Sequence, residues 1–426
     1  MPQWTSFAIF FSVVLSVYGG AHYYLYTWFV RLAEPTRRLR RRVGLIFILL
    51  VISFPLARIL ARYDFNSFNY HLTLISSIWM ALSLYLFILA LGSDLIFILY
   101  KIFPFSPRLL AGQSLFYRRF LVACISAGVL MIGGYALGEA RNLRVTRLEI
   151  LLTGLPPEMD GFSLVQVSDI HYGVLTENGK LSKIVDRINE LQADVVVITG
   201  DLVDEGVSHM EEMAKPLTRL KSRQGVFAVT GNHEYYAGVD RAMAIMKKAG
   251  ISVLRNEKAL LPGGLQLLGV DDPTGSRRMG NLLPDFDKLL LQLDAKKPSI
   301  LLYHQPIQFE KVASSGIGLQ LSGHTHGGQL YPIIFISRMI YPFTPGIHQR
   351  GKSYLYVSRG VGTWGPPMRL GSPPELVYIR LRTPGKQLEG SRGGEVEFEL
   401  LIRSLRSKAP GLTDGLFHHP GNNAFA

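Results

Sequence analysis

Residues 195–201 read VVVITGD, an unbroken apolar and β-branched run that ends in a glycine and an aspartate. Two other segments have the same form: residues 163–171 read SLVQVSDIH, and residues 226–234 read VFAVTGNHE. A continuous apolar run of this length predicts a strand that is buried on both faces. In all three segments, residues that can bind a metal ion follow directly after the predicted strand.

Two later segments repeat this arrangement. Residues 299–304 read SILLYH, and residues 319–326 read LQLSGHTH. Predicted helices lie between the strands at 181–191, 243–249 and 286–293, which favours an α/β layered sheet. Because ligands of open α/β sheets bind outside the carboxyl ends of the strands, we expect the residues after these five strands to converge. Further strands are predicted at 265–270, 354–358 and 376–381.

The side chains that follow the strands form a ligand set for two divalent cations. The set has two carboxylates, one amide and four imidazoles: Asp169, His171, Asp201, Asn232, His304, His324 and His326. One carboxylate shared by two ions at about 3.5–4 Å would give a two-metal site. Oxygen and imidazole ligands without cysteine suit Mn, Fe or Zn better than a soft metal. Each segment alone could be an ordinary turn or helix cap, but the complete series predicts a dinuclear centre.

In order and type, these residues resemble the calcineurin-like metallophosphoesterases. The shared series is D-x-H, G-D, G-N-H-E, a single histidine and G-H-x-H over residues 169–326. The membrane-associated bacterial branch of that family also has G-L-P, here at 154–156, G-H-T-H-G-G-Q at 323–329, and G-P-P-x-R at 365–369. The resemblance covers roughly residues 145–381. It implies a layered αββα sandwich and hydrolysis of phosphoric ester or anhydride bonds.

The resemblance also implies a role for each ligand. The first ion would be held by Asp169, His171, Asp201 and His326. The second ion would be held by Asp201, Asn232, His304 and His324. Asp201 would bridge the two ions, and a hydroxide between them would be the nucleophile. His233 would contact the phosphate or protonate the leaving oxygen, so that His233 and Asp201 are the predicted catalytic residues.

Two arginines near the last motifs are candidates for binding substrate. Arg359 and Arg369 could hold a phosphate or another acidic group. The alternative for each is a structural ion pair or an exposed surface position. The residues alone leave both interpretations open.

The first 140 residues contain four apolar segments long enough to cross a bilayer. They lie at residues 7–30, 43–60, 72–93 and 120–137. The second is the weakest, because Pro55 and Arg58 lie near its end. We therefore expect an α-helical transmembrane domain over residues 1–140, a catalytic domain over 145–382 and a flexible tail over 383–426.

The positive charges of the loops predict the orientation in the membrane. Six arginines lie between the first and second segments, and Lys101, Arg108, Arg118 and Arg119 lie between the third and fourth. Such loops face the cytoplasm, which puts the catalytic domain outside. Three arginines just after the fourth segment argue the other way. If the second segment does not span, the catalytic domain faces the cytoplasm instead.

Composition excludes several other classes of protein. The net charge of +13 comes from 45 Lys and Arg against 32 Asp and Glu, and much of the excess lies in the arginine-rich loop. Membrane topology accounts for that charge, so we expect no nucleic-acid partner. The single cysteine, Cys124, excludes a disulfide framework and a thiolate metal site.

The sequence thus predicts an integral protein of the bacterial cell membrane that hydrolyses a phosphomonoester, phosphodiester or pyrophosphate. A lipid-linked substrate suits an enzyme that is restricted to a membrane. One alternative is a cytoplasm-facing pyrophosphatase that acts on a nucleotide-activated lipid precursor. Another is a membrane receptor that binds metal without catalysis. The oligomeric state does not follow from the sequence.

Overall fold

The computed structural model describes residues 3–61, 63, 66–102, 114–176, 178–204, 209–278 and 286–384. The chain divides into two compact units, Met1–Pro384 and Gly385–Ala426. The second unit lies outside the described residues. All of the predicted tail except its first two residues therefore falls outside them.

Four helices form the amino-terminal part: α1 (Gln3–Ala33), α2 (Arg37–Leu60), α3 (Ser67–Ile102) and α4 (Leu115–Glu139). Among the described residues, α2, α3 and α4 are long and apolar enough to cross a membrane. Many of their large apolar side chains are exposed. Exposed aliphatic surface of this extent suits contact with lipid.

The predicted count of four spanning segments is wrong for the described residues, which contain three such helices. The first predicted segment does lie on a helix, α1, but α1 is not one of the three. From residue 12 onward, α1 contains two adjacent glycines, His22 and four tyrosines, and these residues lower its hydropathy. Several of the polar groups bind α3: His22 Nε2 lies 2.9 Å from Trp79 Nε1, and Arg31 pairs with Asp94.

The described residues after α4 form twelve strands. They are β1 (Arg144–Leu151), β2 (Ser163–Val167), β3 (Val195–Thr199), β4 (Val226–Val229), β5 (Ile251–Val253), β6 (Glu257–Leu260), β7 (Gln266–Val270), β8 (Ser299–Tyr303), β9 (Leu319–Ser322), β10 (Gly346–Arg350), β11 (Ser353–Val357) and β12 (Glu375–Arg382). The helices between them are α5 (Asn178–Glu190), α6 (Ala214–Leu217), α7 (Asn232–Ala237), α8 (Val239–Lys248), α9 (Pro273–Arg278), α10 (Phe286–Leu290), α11 (Phe309–Ser314) and α12 (Ile333–Ile340).

The strands form two six-stranded sheets. Their orders are β1-β12-β2-β3-β4-β5 and β10-β11-β9-β8-β7-β6. In the first sheet β2, β3, β4 and β5 run parallel, and in the second β7, β8, β9 and β11 do so. The carboxyl ends of β2, β3 and β4 therefore lie along one edge of their sheet, and those of β8 and β9 along one edge of the other.

Alternate residues of the central strands belong to different hydrophobic cores. In β3, Val195 and Val197 pack between the two sheets, whereas Val196 and Ile198 pack against α5 and α8. In β8, Leu302 lies between the sheets and Leu301 faces the layer that contains α11. This arrangement is a helix–sheet–sheet–helix sandwich, which confirms the predicted αββα fold class. It also explains why the central strands are apolar at nearly every position.

Candidate metal centre

The predicted ligands follow the carboxyl ends of strands from both sheets. Asp169 and Asp201 lie two residues after β2 and β3, and Asn232 begins α7 just after β4. His304 and His324 follow β8 and β9 of the second sheet. Both sheets thus contribute side chains to one buried site at the same edge of the sandwich.

Three groups of candidate ligand atoms lie within this site; one joins His171 and Asp201 to His233, and the other two consist only of predicted ligands. Asp169, His171 and His326 make the first group, and Asp201, His304 and His324 make the second; within each group the ligand atoms lie within 4.8 Å of one another. In the first group, His171 Nε2 lies 2.9 Å from His326 Nε2. In the second, His304 Nε2 lies 3.1 Å from His324 Nδ1.

Asp201 lies between the two groups. Its Oδ2 atom is 3.1 Å from Nε2 of His304 and 3.8 Å from Nε2 of His171. Its Oδ1 atom accepts a hydrogen bond of 2.9 Å from the backbone N–H of His233. One carboxylate oxygen therefore faces both groups, as a carboxylate that bridges two cations would.

Hydrogen bonds orient two imidazoles toward the centre. Nδ1 of His304 lies 2.8 Å from the carbonyl oxygen of Thr199, which leaves Nε2 facing Asp201. Nε2 of His324 lies 2.7 Å from the hydroxyl of Tyr341, which leaves Nδ1 facing His304. Partners of this kind select the ring orientation of histidines that bind metal.

The electrostatics favour the ligand forms of several side chains. Burial lowers the pKa of His171 to about 4 and that of His324 to about 3, so both rings are neutral near pH 7. A neutral imidazole has the lone pair that a cation requires. Burial raises the pKa of Asp169 to about 6. A cation at this position would stabilise the carboxylate that burial disfavours.

One buried amide oxygen without a hydrogen-bond partner indicates that the site fits a metal ion. Asn232 Oδ1 is buried, and no hydrogen-bond partner for it exists among the described residues. Leaving such a group unsatisfied costs about 1–3 kcal/mol, and coordination to a cation would offset that cost. The oxygen and imidazole donor set also suits divalent ions such as Mn, Fe or Zn. The residues therefore fit two divalent cations.

The backbone at the site has an unusual conformation. Ten described residues other than glycine have a positive φ, and five of them are predicted ligands: Asp169, His171, Asp201, His324 and His326, with φ between 49° and 70°. This left-handed region is rarely adopted by L-residues and is strained. Here it occurs where the chain turns sharply after a strand and directs the ligand into the centre.

Two glycines allow the close approach of the loops. A Cβ atom on Gly231 would collide with Oδ1 of Asp201, and one on Gly200 would lie 2.6 Å from Nδ1 of His304. Gly200 also has a φ of 91°, a region that favours glycine. These glycines are required for packing at the centre as well as for the turns.

His233 lies at the rim of the two groups and has a carboxylate partner that the sequence analysis missed. Its Nδ1 atom lies 3.0 Å from Oδ1 of Asp204. Burial would lower the pKa of His233, but the charges of Asp201 and Asp204 outweigh burial and raise it to about 9. The only sequence signal for Asp204 was its position three residues after Asp201, in G-D-x-x-D.

Glu234 is a second residue whose role the sequence did not reveal. Its buried carboxylate accepts hydrogen bonds from the backbone N–H groups of Gly231 at 2.6 Å, Asp201 at 3.0 Å and Leu202 at 2.7 Å. It thus joins the loop after β3 to the loop after β4. Burial raises the pKa of this carboxyl, whereas the hydrogen bond from the backbone of Gly231 lowers it. The backbone donors therefore stabilise the charged form of the buried carboxylate.

The two predicted substrate arginines have partners within the chain. Arg369 is fully buried; its guanidinium donates to the carbonyl oxygens of Gly360, Gly362 and Ser372 and lies 3.2 Å from Nδ1 of His326. These contacts support the structural alternative for Arg369. Arg359 is one third exposed and pairs with Glu375 at 3.0 Å, so its contact with substrate stays a prediction.

Comparisons with known proteins agree with this geometry. A family profile described as calcineurin-like phosphoesterase matches residues 162–328. An uncharacterized metallophosphoesterase of Aquifex aeolicus is 37% identical over 259 residues, which are 60% of this chain and 98% of that protein. One from Helicobacter pylori is 37% identical over 250 residues, 58% of this chain. A Danio rerio protein described as a transmembrane protein with metallophosphoesterase domain is 36% identical over 278 residues, 62% of this chain.

The alignments span 66% of the Helicobacter protein's length and 63% of the Danio protein's length. The Aquifex relative, in contrast, is covered almost completely by residues of this chain. The matched segment contains β2 through β9 and the predicted ligands from Asp169 to His326. The chain belongs to the calcineurin-like phosphoesterase family of metal-dependent phosphoesterases.

Proposed function

We propose that this protein is a membrane-anchored phosphoesterase that hydrolyses a phosphomonoester, a phosphodiester or a pyrophosphate at a dinuclear metal centre. The position of Asp201 carries the proposal, since its Oδ2 atom faces imidazoles of both ligand groups. In the first ion site we place Asp169, His171, Asp201 and His326. In the second we place Asp201, Asn232, His304 and His324. When bound, two divalent cations would provide an activated nucleophile near neutral pH and offset charge on the phosphoryl oxygens.

His233 supplies the proton in this proposal. Its Nδ1 atom faces Oδ1 of Asp204 at 3.0 Å, which leaves Nε2 to contact the phosphate or the leaving oxygen. A pKa raised to about 9 keeps the ring protonated near neutral pH. A cationic donor at this position can stabilise the phosphate oxygens and then protonate the leaving group.

A substrate screen tests the activity. The full chain in detergent, loaded in turn with Mn, Fe and Zn, is assayed with chromogenic phosphomonoesters and phosphodiesters and with lipid pyrophosphates. We expect metal-dependent hydrolysis that Asp201→Ala abolishes while the protein remains folded. Full activity of Asp201→Ala would refute the assignment. Metal binding without hydrolysis of any substrate would favour a receptor that binds metal.

For the membrane domain we propose residues 1–140, and for the catalytic domain residues 145–382. We further propose that the protein lies in the bacterial cell membrane with its catalytic domain outside the cytoplasm. Arg118 pairs with Glu34, and Arg119 donates to the carbonyl oxygen of Ala33, so the basic loops meet at one end of the helices. The catalytic domain follows the opposite end of α4, as the positive-inside rule requires of an outer domain.

Reporter fusions at Arg382 test this orientation. An outer catalytic domain predicts an active alkaline phosphatase fusion and a dark green fluorescent protein fusion. The reverse pair of results would place the catalytic domain in the cytoplasm. That outcome would support the alternative enzyme, a pyrophosphatase of nucleotide-activated lipids.

A further inference from the structure

Helix α12 has a large apolar surface that the rest of the described chain does not cover. Its sequence is IIFISRMI, and none of its residues is buried. Phe335 is 49% exposed, Ile336 57%, Met339 86% and Ile340 66%. Leaving this much aliphatic and aromatic surface in water is unfavourable, because the cost grows with the apolar area exposed. An exposed apolar helix of this kind indicates a partner surface.

The start of α12 is joined to the membrane helices. The hydroxyl of Tyr85 donates a hydrogen bond of 2.8 Å to the carbonyl oxygen of Tyr331, two residues before α12. Tyr85 lies at the middle of α3, the longest of the three apolar helices. Leu330 packs in a cluster with Ala81 of α3 and Ala136 of α4. Ala136 lies three residues before the end of α4, so if α4 crosses the membrane, the first turn of α12 lies near the interface at that end of the helix.

A neighbouring aromatic side chain reinforces this position. Trp364 is 58% exposed, and its backbone N–H donates to Oε1 of Gln329 at 2.8 Å. A Cβ atom added to the adjacent Gly365 would lie 3.5 Å from the terminal methyl group of Met80 in α3, so this loop lies close to that helix. Tryptophan and tyrosine are enriched where proteins meet the membrane–water interface. Arg338 is exposed on α12 itself and adds a positive charge, which suits anionic headgroups.

The other end of α12 is joined to the metal centre. Tyr341 directly follows the helix, and its hydroxyl lies 2.7 Å from Nε2 of the predicted ligand His324. The predicted ligand His326 lies only seven residues before Ile333. The helix thus has its first end beside α3 and its last end beside the ligand groups.

We propose that α12 inserts into the interface of the bilayer that α3 and α4 cross, and that the substrate is a lipid whose phosphoester or pyrophosphate headgroup reaches the metal centre from that surface. The substrate class rests on the proposed function, whereas the insertion of α12 does not. The bilayer is the occupant that the contacts support, because the exposed face is continuous with the helices that lie in it.

Fluorescence quenching tests the insertion. Cys124 is the only cysteine, so a Cys124→Ser background accepts one label at a chosen position. Met339→Cys and Leu291→Cys form a matched pair, because both side chains are 86% exposed. Leu291 follows α10, whose Leu289 packs in the hydrophobic cluster of α11 and not in the cluster of Leu330 with α3 and α4. The full chain, labelled with an environment-sensitive dye, is reconstituted in vesicles of phosphatidylcholine and phosphatidylglycerol, with or without doxyl-labelled lipid.

We expect doxyl lipid to quench the dye at position 339 and to leave the dye at position 291 unchanged. Equal, weak quenching at both positions would overturn the insertion. A dye at position 339 whose fluorescence changes with protein concentration, and is not quenched by doxyl lipid, would also overturn the insertion. A second copy of the chain would then cover α12.

The substrate class is tested with Ile336→Glu/Met339→Glu. We expect the KM for phosphatidic acid or an isoprenoid pyrophosphate in vesicles to rise about tenfold, which corresponds to about 1.4 kcal/mol. The rate with a soluble nitrophenyl phosphoester should stay within about twofold of the wild type, because the metal centre is unchanged. Equal losses on both substrates would overturn the inference. If the wild type hydrolyses none of them, the proposed function fails, and the quenching result still decides where α12 lies.

Discussion

The carboxylate of Asp204 lies 3.0 Å from Nδ1 of His233. The second oxygen of the same carboxylate lies 3.6 Å from Nη1 of Arg58, near the end of α2. One side chain therefore contacts both the proposed proton donor and a helix of the proposed membrane domain. The apolar helix α2 is thus in electrostatic contact with the proposed catalytic site.

Replacing Asp204 by Asn should lower kcat/KM by about tenfold to hundredfold, because His233 loses its orienting partner. The loss of a negative charge also lowers the pKa of His233 from its value of about 9. The alkaline limb of the rate profile should therefore move to lower pH. Asp186→Asn, at an exposed ion pair, is the control. An unchanged pH profile in Asp204→Asn would contradict the role given to this pair.

Arg58→Ala should have a smaller effect. Partly exposed ion pairs contribute about 0.2–1 kcal/mol, so we expect a loss of about two- to fivefold in kcat/KM. Removing this positive charge shifts the alkaline limb toward higher pH, opposite to the shift of Asp204→Asn. Arg58→Lys should keep most of the wild-type kcat/KM, because the positive charge is retained. Arg41→Ala, at the other end of α2, should change neither kcat/KM nor the alkaline limb. A shift in the same direction as that of Asp204→Asn would argue against this contact.

Gly231→Ala should disturb the centre through a direct collision. The added methyl group meets Oδ1 of Asp201, and we expect a loss of about 1–3 kcal/mol in the free energy of unfolding, as for other overpacked sites. The number of bound metal ions should also fall, because Asp201 is the proposed bridging ligand. The control is Gly179→Ala, since a Cβ there meets nothing within 4 Å. Thermal unfolding and elemental analysis of both variants measure the two effects. Normal metal content in Gly231→Ala would show that Asp201 tolerates displacement.

Asn232→Ala should reduce the number of bound ions. Its Oδ1 atom is buried without a hydrogen-bond partner among the described residues, and we assign it to the second ion only. The variant should retain about one tightly bound ion for each chain, compared with two in the wild type. Titration calorimetry and elemental analysis distinguish these values, with exposed Asn142→Ala as the control. Two tightly bound ions in Asn232→Ala would remove this residue from the ligand set.

The central strands were predictable from the sequence. All eight predicted strands overlap observed ones, from β2 at Ser163–Val167 to β12 at Glu375–Arg382. These strands lie inside the sandwich, so burial on both faces selects apolar residues at nearly every position. The strands that were not predicted, β1, β5, β6 and β10, are short or lie toward the sheet edges. β1 contains three charged residues and is partly exposed, so its pattern does not resemble a buried strand.

Prediction of the membrane helices depended on hydropathy and was less accurate, because it counted one span more than the described residues contain. The apolar composition of α2, α3 and α4 is visible in any short window. In α1, the residues from position 12 onward include His22 and four tyrosines, which lower the hydropathy of the helix. The predicted span at residues 7–30 therefore lies on a helix that is not among the three.

Local sequence patterns were sufficient to identify the residues that follow the buried strands, and hence the chemistry of the ligand set, because strand periodicity and ligand type are local properties. The contribution of two sheets to one centre, and the position of Asp201 Oδ2 between both ligand groups, became visible in the folded chain. The packing of the layers also brings Asp204 close to both His233 and Arg58, and it joins the residue Tyr331, just before α12, to α3. These relationships join residues far apart in the chain, and they arise from how whole layers and helices pack, which no local pattern encodes.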